Sequence, residues 1–142
     1  MSLVKKFIIP VGKTGEVGRA LSHIFDTIVD IIASNDVQIF VREKAFIAHF
    51  GDADRLFRVA GVSDVALWKV REKNFYDINP VSVKKAVTGN GHAPKENVAK
   101  CLRKYIGEQE YETDDESDAA AVGVAYLLRE GYIVDPEAHD AV

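Results

Sequence analysis

A short β-branched run that lies between two long helical patterns constrains the fold of this chain most. Residues 37–42 read Val-Gln-Ile-Phe-Val-Arg, which is typical of a buried parallel strand. Apolar residues recur at helical spacing through residues 16–33 before this run and through residues 52–70 after it. This alternation predicts an α/β fold in which helices cover a sheet.

Turn and breaker residues predict the remaining elements. Residues 3–11 indicate a first strand, and Pro10 suggests its end or an exposed edge. A short strand is expected at residues 74–78, followed by a short helix that begins at Pro80. Gly89 and Gly91 end that helix, Pro94 opens another that runs to about Ile106, and Gly107 closes it.

The composition is that of a globular domain. With 142 residues, 47% hydrophobic and 28% charged, the chain is expected to form one domain over residues 1–142, with an ordered core at about 5–133 and a frayed tail at 135–142. No run approaches the roughly 20 apolar residues of a membrane span. The single cysteine, Cys101, lies on an apolar helix face, which favours buried packing over a reactive thiol and fits a reducing cytoplasm.

Charge is distributed unevenly along the chain. The net charge of −4 argues weakly against nucleic-acid binding, but residues 69–104 hold nine of the eighteen basic residues. Acidic residues concentrate at 108–118. This polarity allows one face to contact phosphates while an adjoining acidic cluster holds a metal ion.

Two aspartates fall in the first turns of a predicted C-terminal helix. Thr113 followed by Glu116 has the spacing of a capping box, so a helix is expected to start there. Asp115 and Asp118 are three residues apart and therefore share a helix face. Two such anions repel unless a cation or a proton lies between them, although acids at a helix start also simply complement its dipole.

A longer motif precedes this helix. Residues 83–98 read Val-Lys-Lys-Ala-Val-Thr-Gly-Asn-Gly-His-Ala-Pro-Lys-Glu-Asn-Val. The segment resembles the VKKAVTGxGxAxKxxV-like motif of RuvC-type Holliday-junction resolvases, in which a D-x-x-D helix start follows, as Asp115 and Asp118 do here. The resemblance implies an RNase H-like fold, with a mixed sheet flanked by helices.

The same resemblance assigns roles to individual residues. Glu43, directly after the predicted strand, matches the family's catalytic glutamate; pairing with a surface cation is the alternative. Asp115 and Asp118 would supply two further carboxylate ligands, and Lys95 matches a functional lysine. DNA contacts are expected from Phe46, Lys84, Lys85 and Lys95, although Phe46 could equally pack within its loop, and the lysines could be ordinary surface residues.

The implied activity is that of a Mg²⁺-dependent endonuclease, with Mn²⁺ as a possible substitute, that acts on four-way or other branched DNA. Carboxylates suit such hard cations, which activate water and stabilise charge on the attacking and leaving oxygens. A homodimer is also expected, because a junction requires two symmetric cuts. In the resemblance, the helix at residues 52–70 contributes to the dimer, and Trp68 could be an interface anchor.

The chain departs from the family pattern at its start. Resolvases of this type begin with a strand that bears an aspartate in an I-D-x-G-like pattern, and this aspartate is the first of the family's four metal-binding acids. The first aspartate here is Asp26, within a predicted helix, so the resemblance leaves three of the four acids in this chain. The expected fold is therefore N-terminally shortened, with residues 4–11 in the vacated slot beside Val37 to Val41. A fragment of a longer chain, a natural inactive truncation and a repaired site are all compatible with this departure.

Two other functions stay open on the sequence. One is a catalytically impaired module that still binds branched DNA through its basic face, and the other is a bare scaffold that only dimerises. Whether the chain is an enzyme therefore depends on whether Glu43, Asp115 and Asp118 converge in space.

Overall fold

The computed structural model of the protein describes residues 1–3, 5, 6, 9, 15–44 and 50–138. Its backbone contacts form two compact units. One contains the described residues of 1–7, 41–44 and 77–142, and the other contains those of 8–40 and 45–76. The elements are, in order, α1 (Val17–Ser34), β1 (Val41–Glu43), α2 (Phe50–Arg71), β2 (Tyr76–Ile78), α3 (Pro80–Thr88), α4 (Lys95–Ile106) and α5 (Asp114–Arg129).

In the second unit, α1 packs against α2. Buried apolar side chains and one arginine hold the two helices together. Ile24 and Ile32 of α1 are buried, as are Ala66 and Leu67 of α2. Nη2 of Arg71 donates to the backbone oxygen of Ile32 at 2.8 Å. The last carbonyls of a helix have no partner within the helix, so this cation satisfies one of them and complements the helix dipole.

The described sheet consists of two parallel strands, β1 and β2. The backbone nitrogen of Tyr76 donates to Phe40, and that of Lys44 donates to Ile78, each at 2.8 Å. The predicted strand at residues 37–42 is therefore too long at its start, since the strand begins at Val41. Its length is limited by its partner, because β2 has only three residues and ends just before the helix that starts at Pro80.

The predicted first strand at residues 3–11 is not seen among its described residues. Leu3, Lys5, Lys6 and Ile9 have no strand assignment. The other residues of this segment, and hence most of the expected pairing beside Val37, lie outside the described residues. Leu3 instead packs against the core of its unit.

The unit that carries the sequence motif is built on α3, α4 and α5, which pack against one another around one core. Asn79 caps α3 by accepting a hydrogen bond from the backbone of Val81, and Gly89 ends that helix with φ 82°. Pro94 precedes α4 and Gly107 ends it. These helices match the predicted ones, because capping residues and Pro or Gly fixed both ends. The buried core residues are Ile78, Val83, Val87, Val98, Leu102, Tyr105, Ile106, Ala121, Val122, Val124 and Ala125.

Candidate active site

Glu43 is the last residue of β1 and faces α5. Alternate residues of a strand share a face, so Glu43 lies on the same side as Val41. Val41 packs against the core that α5 helps to form, and β1 contacts α5 directly. Next to Glu43, the guanidinium of Arg42 binds both carboxylate oxygens of Asp77, with Nε to Oδ1 at 2.8 Å and Nη2 to Oδ2 at 3.1 Å. This fork-shaped pair joins β1 to β2 and fixes the end of the strand.

The two aspartates lie at the start of α5, as the sequence predicted. Thr113 is the N-cap residue, but its side chain makes no capping hydrogen bond. The capping box is therefore wrong in its threonine half. Glu116 instead ties the preceding loop to the helix, since its Oε2 accepts from the backbone nitrogen of Glu112, one residue before the N-cap, at 2.7 Å. Asp115 and Asp118 remain on the outer face, exposed and half-buried respectively.

Glu43, Asp115 and Asp118 line one cavity of about 330 Å³. Its walls also include Val41, Arg42, Ala119 and Val122. The structure thus brings to one cavity three carboxylates that are separated by up to 75 positions in the chain. One end of a strand and the first turns of a helix supply them.

The carboxylates in this cavity influence one another electrostatically. Partial desolvation raises the pKa of Glu43 above its usual value, and the negative charge of Asp118 raises it further. The positive charges of Lys95 and Lys84 act in the opposite direction on that pKa. The surroundings of Glu43 thus disfavour its ionised form. A cation bound nearby would stabilise that form and lower the pKa of Glu43.

Lys95 is the first residue of α4 and reaches the acidic cavity. Its Nζ lies 3.2 Å from Oδ2 of Asp118, and its side chain is 52% exposed. The hydrogen bond and charge of Asp118 raise the pKa of Lys95, so the ammonium form is favoured. Lys95 and Asp118, which two separate sequence motifs predicted as site residues, are therefore in direct contact.

The other sequence-predicted DNA contacts lie on or near α3. Lys84 is half-buried, and its charge acts on Glu43. Lys85 is exposed in the last turn of the same helix. Phe46 lies outside the described residues, so its predicted contact with DNA stays a prediction.

The carboxylates are a suitable donor set for a hard divalent cation, because such ions prefer oxygen ligands. Within the described ranges, no group of three or more His, Cys, Asp or Glu side chains is arranged as a metal site. Asp118 is instead paired with the ammonium of Lys95. The donor set therefore suits a divalent ion by its chemistry, and in this structure Lys95 supplies the counter-charge to Asp118.

Sequence reasoning gave Glu116 only the role of a local cap and missed Lys6. The carboxylate of Glu116 is buried and lies 3.1 Å from Nζ of Lys6. The backbone of Glu112 lowers the pKa of Glu116 most, and Lys6 lowers it further. The two residues are 110 positions apart, so no local pattern could have linked them.

Comparison with known proteins identifies the family. The family model described as "Crossover junction endodeoxyribonuclease RuvC" matches residues 1–126. A protein of that name from Sulfurovum sp. (strain NBC37-1) is 29% identical over 131 residues, covering 90% of this chain and 80% of the relative. The protein of the same name from Helicobacter pylori (strain G27) is 32% identical over 112 residues, covering 77% of this chain and 68% of the relative.

Solved structures show the same fold. The structure titled "T. thermophilus RuvC in complex with Holliday junction substrate" superposes with a TM-score of 0.82 at 21% identity, covering 91% of this chain and 79% of that one. A second structure, "Thermus thermophilus RuvC structure", gives a TM-score of 0.77 at 20% identity, covering 92% and 79%. The RNase H-like fold class is confirmed by this likeness. In the described residues, no helix is both long enough and apolar enough to cross a membrane.

The family model spans most of the chain, and relatives of the same name match at the sequence level. The chain therefore belongs to the crossover junction endodeoxyribonuclease RuvC family.

Proposed function

We propose that this protein is a structure-selective endonuclease that uses Mg²⁺, or Mn²⁺ in its place, to cut Holliday junctions or other branched DNA. The observation that carries the proposal is the cavity shared by Glu43, Asp115 and Asp118, with Lys95 at its edge. Family membership supplies the substrate class, and the T. thermophilus relative was solved with a Holliday junction substrate.

In this proposal the three carboxylates hold the divalent ion. When bound, the ion would activate water and stabilise the charge that develops on the phosphate oxygens. The acids come from a strand end and a helix start that share one core, so their backbone positions are fixed before DNA arrives. Preorganisation of this kind lowers the reorganisation needed at the moment of reaction.

Lys95 is proposed to face the scissile phosphate. Its ammonium pairs with Asp118 in the free protein, and the pair is half exposed, so it can separate at little cost. With a divalent ion bound at Asp118, the ammonium of Lys95 would be available to offset the phosphate charge. Lys84 and Lys85 on α3 extend the positive surface along the DNA backbone.

We further propose that the protein acts as a homodimer through α2. Phe57, Val65 and Trp68 are 55%, 52% and 54% exposed. Their spacing, with Gly61 between them, places them along one stripe of the helix. Exposed aromatic side chains in such a stripe favour a protein interface, and a second copy would present the same stripe.

An apolar cavity of about 560 Å³ adjoins this stripe within the same unit. Leu21 and Phe25 of α1 line it together with Phe57 and Val65 of α2.

Replacement of Trp68 by arginine should shift the protein from dimer to monomer in sedimentation analysis, because a charge would be buried without a partner. Replacement of the exposed Tyr132, in the other unit, by arginine is the matched control.

Cleavage of a synthetic four-way junction tests the main proposal. We expect Mg²⁺-dependent cuts in the junction but not in a linear duplex of the same sequence. Asp118→Asn should abolish the cuts, whereas Asp135→Asn should not, because Asp135 pairs with Lys104 elsewhere in the unit. Cleavage by the Asp118→Asn variant, or equal cutting of the linear duplex, would refute the proposal.

A binding-only module is the second candidate, and the pairing of Lys95 with Asp118 favours it, since the acid already has a counter-charge. Junction binding that weakens with salt, without any cleavage, would select this function. Either function is consistent with the cytoplasm, which the single cysteine also favours.

A further inference from the structure

The start of α5 is held by a residue from the other end of the chain. Nζ of Lys6 lies 3.1 Å from Oε2 of Glu116 and also donates to the backbone oxygen of Glu110. The same ammonium lies 5.0 Å from the ring centroid of Tyr111. One side chain thereby contacts three points between residues 110 and 116.

Glu116 connects these contacts to the helix. Its side chain is 6% exposed, and its Oε2 accepts from the backbone nitrogen of Glu112 as well as from Lys6. Because the side chain of Thr113 makes no capping hydrogen bond, Glu116 is the side chain that ties the preceding loop to the first turn of α5. Removing Lys6 would leave a buried carboxylate without its cation.

The position of Glu116 gives this contact a consequence for the acidic cavity. Glu116 lies between Asp115 and Asp118 in the chain, and both of those residues line the cavity with Glu43. Asp115 lies in the first turn of α5 and Asp118 at the start of the second, so a rotation or shift of this end of the helix would move both aspartates relative to Glu43. Metal affinity depends steeply on such placement.

We propose that Lys6 and Glu116 form a clamp that positions Asp115 and Asp118 for binding a divalent cation. This inference rests on the proposed metal-dependent function. Lys6 and Glu116 are positioning residues in it, since neither lines the cavity. The clamp makes the N-terminal segment part of the site's architecture without adding a ligand.

Mn²⁺ titration of the full chain tests the clamp without relying on activity. Residues that hold metal ligands in place typically change metal affinity by about 10- to 100-fold when replaced. Lys6 acts through Glu116, so we expect Lys6→Met to weaken Mn²⁺ binding by about ten-fold, at the lower end of that range. Lys6→Arg should restore most of the affinity, because arginine keeps the charge and the donors.

Lys104→Met is the matched control. Lys104 is also a half-buried lysine, and its Nζ lies 2.7 Å from Oδ2 of Asp135 in the same unit. Its loss should lower stability while leaving Mn²⁺ affinity within about two-fold of the wild type. If Lys6→Met behaves like Lys104→Met, the clamp is only a structural ion pair and the proposal is wrong.

Glu116→Gln keeps the proposal testable if Lys6→Met does not fold. Glutamine retains an acceptor for the backbone of Glu112 but loses the charge that Lys6 neutralises. We expect weaker Mn²⁺ binding and faster amide hydrogen exchange at residues 114–118; unchanged values for both would overturn the clamp. A wild-type chain that binds Mn²⁺ but does not cut junctions would refute the nuclease, while the affinity comparison would still decide on the clamp.

Discussion

The ammonium of Lys95 lies 3.2 Å from Oδ2 of Asp118, so the first residue of α4 meets the first turns of α5 through an ion pair. The pair joins the lysine-bearing motif to the acidic helix. In the proposed function, Asp118 is also a ligand of the divalent ion. Metal binding and pairing with Lys95 would then compete for the same carboxylate.

This competition predicts that Lys95→Met binds Mn²⁺ more tightly than the wild type while losing junction cleavage. A half-exposed ion pair contributes about 0.2–1 kcal/mol, so the affinity should rise by up to about five-fold. Isothermal titration gives the affinity. Lys100→Met, at an exposed position on the same helix, should change neither quantity, and weaker Mn²⁺ binding by Lys95→Met would contradict the competition.

Glu43→Gln is expected to raise the melting temperature at neutral pH while abolishing cleavage. The pKa of Glu43 is raised in the folded protein, chiefly by desolvation and by Asp118. The carboxyl of Glu43 therefore stays protonated to higher pH in the folded state than in the unfolded state. Its contribution to the free energy of unfolding falls as the pH rises from the ordinary glutamate pKa of 4.5 through the raised pKa of the folded state. Glutamine does not ionise, so the variant should not lose this stability as the pH rises.

Thermal unfolding from pH 4 to pH 8 checks this prediction, because the series starts below the ordinary glutamate value of 4.5 and ends above neutrality. The difference between Glu43→Gln and wild type should be small near the acidic end and favour the variant above it. Asp54→Asn, which alters an exposed i, i+4 pair on α2, serves as the control. A variant that melts below the wild type at neutral pH would show that the glutamate stabilises the fold.

Gly91→Ala is expected to destabilise the protein because the loop before Lys95 passes close to α3. A Cβ atom at Gly91 would lie 2.7 Å from Cγ1 and 3.2 Å from the backbone oxygen of Val81. Forcing extra atoms into a packed region costs about 1–3 kcal/mol. Urea unfolding measures the loss, and a shifted loop should also reduce cleavage through Lys95.

Gly123→Ala is the matched control for Gly91→Ala. Gly123 lies within α5, and a Cβ atom there would meet nothing within 4 Å. Alanine favours a helix interior by about 0.5–1 kcal/mol over glycine, so this variant should be more stable than the wild type. Equal effects of the two substitutions would argue against the close contact with Val81.

Leu102→Ala should be among the most destabilising core substitutions. Leu102 of α4 is fully buried at 0% exposure in the core shared with α3 and α5. Truncation of a buried leucine typically costs about 2–5 kcal/mol, depending on how far the cavity collapses. Leu56→Ala, at a position that is 41% exposed, should cost much less in the same urea titration.

Local signals in the sequence were sufficient for the helices around the site. Asn79 before Pro80, Gly89, Pro94 and Gly107 set the ends of α3 and α4, because these residues act on the backbone within one turn. The strands were less predictable. Residues 37–42 have strand composition throughout, but only Val41–Glu43 form a strand, since hydrogen bonding in a sheet depends on a partner distant in the chain.

The sequence by itself determined the helical periods, their ends and the residue types at the candidate site, because these depend on neighbours a few positions away. Only the tertiary structure brought Glu43 into the cavity of Asp115 and Asp118, and only it joined Lys6 to Glu116. Such contacts depend on how the elements pack around a common core. Their sequence separations leave no periodic signal, so the burial of Glu116 and its pairing with Lys6 could be found only in three dimensions.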